Sequence, residues 1–137
     1  MTRIAVLIVA LGVVTAREGA ANPPSRILPL GGATTETVYA LGAGDRVLGV
    51  DQTSVFPPIA RSRPQVGYVR TLAAEGILSL KPDLVLAAPE AGPRATLDQL
   101  ASTGLRVERL PPGFSVPATL HRIAAIGFSH GTLDGRA

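Results

Sequence analysis

The run Ile77-Leu78-Ser79-Leu80-Lys81-Pro82-Asp83-Leu84-Val85-Leu86-Ala87-Ala88 decides the fold of this chain. Residues 84–88 are apolar without interruption, as expected of a strand covered on both faces; a strand with one wet face would alternate. Lys81-Pro82-Asp83 ahead of it ends a helical pattern, because the residue before a proline avoids the α region and Asp favours turns. Upstream, residues 71–80 place Leu72, Gly76 and Leu80 on one side with Ile77 beside them, and Thr71 stands where a cap belongs. Helix, turn and buried strand therefore form one unit.

The same alternation extends both ways. Downstream, residues 93–102 read as a helix with proline in its first turn and Thr103-Gly104 at its end. Residues 105–110 read as a strand, Pro111-Pro112-Gly113 as a loop, and residues 116–126 as a last helix closed by Gly127. Upstream, Ile27-Leu28-Pro29-Leu30 is a strand ended by Gly31-Gly32. Thr34-Thr35-Glu36 opens a short helix that Gly42 ends, and Val47-Leu48-Gly49-Val50 is a further strand ending at Asp51. Residues 52–70, with Pro57-Pro58 and Pro64, are irregular. Four strands alternating with helices predict a single α/β lobe, a parallel sheet flanked by helices. Ligands bind such sheets outside the carboxyl ends of the strands. That edge is built here by Gly31-Gly32, residues 52–70, residues 89–92 and residues 111–115.

Composition agrees with one globular domain: 137 residues, 46% apolar and 17% charged. Net charge is +3, and the arginines are scattered along the chain with no basic stripe, which argues against a nucleic-acid partner. Cysteine is absent and decides nothing about compartment. Thr2-Arg3, the apolar residues 4–14, and the small and polar residues 15–21 have the three-part layout of a secretory signal peptide. Gly19 and Ala21 supply the small residues of a cleavage site. The apolar run is far below the roughly 20 residues that span a bilayer. Residues 1–21 are thus expected to be a leader, with export to a periplasm and a lobe over residues 22–127. Residues 128–137 are expected to form an irregular tail.

Signals for catalysis are thin: no His pair at metal spacing and no G-x-S-x-G elbow occur. His121 and His130 read as solvated or incidental. Gly31-Gly32 before a helix is a weak phosphate cradle, the basis of a rival reading as a small nucleotide-binding enzyme domain. Tyr68, one of two tyrosines, stands between Gly67 and Val69-Arg70 on the longest loop of the ligand edge. One reading half-buries its ring and bonds its hydroxyl to the backbone. The other uses Arg70: a nearby cation favours the phenolate, a ferric ion favours it more, and phenolate is an axial ligand for haem iron. Glu75 suits a helix first turn, where the dipole favours an acid; a protruding acid also meets an arginine on a partner.

The runs GYVRTLAAEGILSLKPDLVLAAPEAGP (residues 67–93) and GGATTETVYALGAGDRVLGVDQTSVFPP (residues 31–58) resemble the periplasmic haem-binding proteins of bacterial haem-uptake ABC transporters. These are substrate-binding proteins of the helical-backbone class (class III), which includes cobalamin and siderophore binders. The likeness spans residues 26–126; "LSLKPDLVLA" belongs to the wider class and GY-x-R to the haem branch. It implies that Tyr68 is the axial ligand to haem iron and that Arg70 holds the tyrosine oxygen or a propionate. Glu75 falls where the class carries an acid that docks on the membrane permease. It also implies a monomeric carrier that performs no catalysis. The class has two lobes around one ligand; this sequence corresponds to the N-terminal one and departs from the pattern at GFSHGTLDGRA. With half a cleft, and roughly 25 cal/mol per Å² of apolar burial, several kcal/mol of cargo affinity are expected to be missing. A cobalamin or ferric-siderophore binder of the same class is the alternative.

Overall fold

The computed structural model describes residues 22–131. The leader reading of residues 1–21 and the end of the tail, residues 132–137, lie outside the described residues. Three parallel strands form the sheet in the order β1 (Ile27–Leu30), β2 (Leu84–Ala87), β3 (Arg106–Arg109). Ile27 pairs with Leu84 and Leu84 with Arg106, so the strands start level. The Asp83 carboxylate helps to set that level by accepting the N–H groups of Ser25 (2.9 Å) and Arg26 (3.0 Å). Arg26 returns a bond to the Lys81 carbonyl at 2.7 Å.

Helices α1 (Gly32–Ala40) and α4 (Val116–Ser129) cover one face of the sheet, and α2 (Ala74–Ser79) and α3 (Arg94–Ser102) the other. Alternation along the strands divides the core accordingly. Ile27, Leu84 and Leu86 pack with Val38 of α1 and Ile126 of α4. Leu28, Leu30, Val85 and Ala87 pack with Ile77 of α2 and Leu97 and Leu100 of α3. All of β1 and β2 is buried, while β3 is a half-exposed edge strand.

One expected strand and several element ends differ from the sequence reading. Residues 47–50 are not a strand: they make only isolated bridges, Val47 to Ile27 and Val50 to Gln65. The Leu48 N–H reaches the Ile27 carbonyl (3.1 Å), but the next rung of that ladder calls for the N–H that Pro29 lacks. The chain turns away, and the Val50 N–H bonds to the Pro64 carbonyl at 2.9 Å. Helix α1 begins at Gly32 with Gly31 as its cap residue, so Thr34 and Thr35 lie inside it. Helix α2 begins only at Ala74, and Thr71 caps nothing, because Leu72 N–H is drawn to the Gly92 carbonyl (2.9 Å).

At the far end, α4 runs through Gly127 to Ser129, and Ser129 and His130 are buried. The expected lobe end at residue 127 and a tail from residue 128 are corrected by this. So is the reading of His130 as solvated. Arg46 closes the end of the helix by donating to the carbonyls of His130 (2.8 Å) and Pro24 (2.9 Å). Burial, and secondly the positive charge of Arg46, hold the His130 imidazole below its ordinary pKa.

Candidate ligand-binding site

The carboxyl ends of the strands open onto four neighbouring segments. The Gln52 N–H bonds to the Gly67 carbonyl (2.9 Å), joining the loop after residue 51 to the Tyr68 turn. Gly92 N–H to the Val69 carbonyl and Leu72 N–H to the Gly92 carbonyl, both 2.9 Å, join that turn to the loop after β2. Beyond the loop after β3, a cavity of about 380 Å³ lies between α1 and α4. Its walls include Thr34, Glu90, Leu110, Phe114 and Arg122. Arg122 shapes the rim by donating to the Gly113 carbonyl at 2.5 Å.

Tyr68 is presented by its neighbours. Gly67 takes φ 104°, a left-handed value that a side chain there would resist. The Thr71 N–H then closes a turn on the Tyr68 carbonyl at 2.9 Å. Val69 and Leu72 are buried at 2% and 4% exposure and anchor this turn to the α2–α3 side of the core. Tyr68 and Arg70 therefore point outward, the tyrosine 42% exposed. Among the described residues neither the Tyr68 hydroxyl nor the Arg70 guanidinium has a hydrogen-bond partner. The structure thus departs from the reading of Tyr68 as a loop tyrosine tied to the backbone. No hydrogen bond joins the Tyr68 hydroxyl to the Arg70 guanidinium. Glu75 is exposed in the first turn of α2.

The Gly31-Gly32 cradle is already full. The Asp51 carboxylate, fully buried, accepts the Gly31 N–H at 2.6 Å, and Thr53 Oγ1 accepts the Gly32 N–H at 3.0 Å. Asp51 also accepts the Thr53 N–H (2.8 Å) and the Ser54 hydroxyl (2.7 Å). A Cβ on Gly32 would stand 2.8 Å from the Thr53 carbonyl oxygen, so there is no room for a phosphate. The rival reading of this turn as a nucleotide site is corrected: the chain supplies its own anion there. Sequence reasoning treated Asp51 only as the end of a strand, although Asp-x-Thr-Ser after an apolar run is the pattern of a side chain bonding its own turn.

Known proteins resemble the lobe as a whole. The family of periplasmic binding proteins matches residues 27–131. The chain belongs to that family. A vitamin B12-binding protein of Photorhabdus laumondii is 37% identical over 101 residues, which are 74% of this chain and 35% of that protein. A periplasmic haem-binding protein of Pseudomonas aeruginosa superimposes with a TM-score of 0.76 at 39% identity, over 80% of this chain and 39% of its own. A periplasmic vitamin B12-binding protein of Vibrio cholerae gives 0.71 at 32% identity, over 78% of this chain and 42% of its own. The chain therefore spans well under half the length of these relatives. The family is one of binding proteins, as the expectation of a non-catalytic carrier requires.

Proposed function

We propose that this chain is a cargo-binding lobe of a haem-uptake system, taking ferric haem at the edge that carries Tyr68. The observation that carries the reading is the exposed Tyr68 hydroxyl, held outward by Gly67, Val69 and Leu72 and free of any partner among the described residues. In this reading its phenolate is the axial ligand to iron, and Arg70 pairs with a propionate carboxylate. The exposed Val55 and Phe56, one loop away, offer apolar surface for a porphyrin. Glu75 docks on an arginine of an ABC permease. Residues 1–21 serve as an export leader, the periplasm is the place of action, and the carrier works as a monomer.

The 39% identity to a haem-binding protein supports the choice. Relatives named as vitamin B12 binders support a corrinoid as the second reading. Adding ferric haem to the purified protein separates the two. A phenolate-type visible spectrum that disappears in Tyr68→Phe is the expected result, with Glu75→Gln binding haem normally. Retention of cyanocobalamin and not haem on dialysis would move the assignment to a corrinoid.

A further inference from the structure

We propose that Asp51 is the positioning residue of this edge: its buried carboxylate determines where the Tyr68 turn stands. Only the effect on cargo affinity rests on the haem reading; the effect on Tyr68 itself does not.

Four donors converge on this one carboxylate. Oδ2 accepts the Gly31 N–H and the Ser54 hydroxyl, and Oδ1 accepts the Thr53 N–H and the Thr53 hydroxyl. Two of the donors are main-chain groups, and Asp51 itself is 0% exposed. An asparagine has the same shape but only one accepting oxygen, and on either side its NH₂ would face a main-chain N–H, Gly31 or Thr53, that can only donate. Leaving such a buried group unpaired costs more than the bond itself contributes.

The grip of Asp51 reaches Tyr68 through the main chain on either side of it. Val50 and Gln52 form a short ladder with the segment before Tyr68: Val50 N–H to Pro64 at 2.9 Å, Val66 N–H to Val50 at 3.0 Å, Gln52 N–H to Gly67 at 2.9 Å. Gly67 immediately precedes the tyrosine. On the other side the turn is held through Val69 and Leu72 to Gly92. The Tyr68 side chain adds no anchor of its own. Its position therefore depends on two attachments, and Asp51 locks one of them to the start of α1.

The chain has two tyrosines and no tryptophan, so 3-fluorotyrosine labelling gives two ¹⁹F resonances, which Tyr68→Phe assigns. In the ligand-free full chain, Asp51→Asn is expected to shift or broaden the Tyr68 resonance while that of Tyr39 stays in place. Haem affinity should fall about tenfold, as for the loss of one charge-assisted bond. Ser54→Ala removes one donor but neither main-chain bond, and should leave the Tyr68 resonance unmoved. A folded Asp51→Asn protein with an unchanged Tyr68 resonance, or with both resonances displaced alike, overturns the proposal. Should that variant not fold, Asp51→Glu, whose extra methylene moves the carboxylate off the Gly31 and Thr53 N–H groups, is judged by the same resonances. If Tyr68 moves as expected but the parent protein takes up no haem, the haem reading fails and the positioning role stands.

Discussion

Two tyrosines, each with an arginine near it, are put to opposite uses in this molecule. Tyr39, on α1, is half-buried; its hydroxyl accepts Arg63 Nε at 3.3 Å, and the same guanidinium donates to the Gly44 carbonyl at 3.3 Å. Its ring lies so close over Gly44 that a Cβ there would overlap it. The side chains of Tyr68 and Arg70 stand outside the core with no hydrogen bond to each other or to any described residue. The first pair is a closed piece of architecture. The second is held open by the residues between and around it. In a chain with so few aromatics, a phenol kept exposed and unpaired is the better marker of a ligand than sequence spacing alone.

Substitutions can break or sharpen that contrast. The largest effect is expected from Tyr68→Phe, which should weaken haem binding by about a hundredfold or more and leave the urea midpoint where it was. Tyr39→Phe should leave the haem spectrum intact; equal loss of binding in both variants would erase the distinction. Gly44→Ala should act on the closed pair only, costing about 1–3 kcal/mol as an overpacked contact, measured by denaturation. Arg70→Ala comes next: haem affinity falls about three- to tenfold with stability unchanged, whereas Arg63→Ala should lower stability and spare affinity.

The smallest effect concerns His130. Its folded pKa lies below the unfolded value of about 6.5, so the unfolded chain binds the extra proton. Its contribution to stability is present above about pH 6.5 and is lost as pH falls through that value toward the folded pKa. The urea midpoint should drop on acidification through that window, and less so in His130→Gln.

What sequence patterns could show here depended on how local the cause was. The buried run at β2 was legible because five apolar residues in a row leave no other reading. Residues 47–50 look just as apolar, but whether they join a ladder turns on Pro29, twenty residues away and on another strand. Thr71 fits the chemistry of a cap, yet Gly92, distant in sequence, claims the neighbouring backbone and delays α2 to Ala74. His130 appeared incidental because its burial is arranged by Arg46. Tyr68, Arg70 and Glu75 could be singled out by residue type and loop position. That Arg70 leaves the phenol alone, and that Asp51 fills the glycine turn, are facts of packing that no spacing announces.

Arg46 bonds both Pro24 and His130, and a Cβ on Gly131 would stand 3.1 Å from that of Pro23. Residues 23 and 131 therefore meet at the foot of the sheet, on the side away from Tyr68. A short linker between them would close the lobe into a ring. Such a ring could be reopened at an exposed stretch such as Thr103-Gly104, giving a circular permutant whose new ends leave the Tyr68 edge untouched.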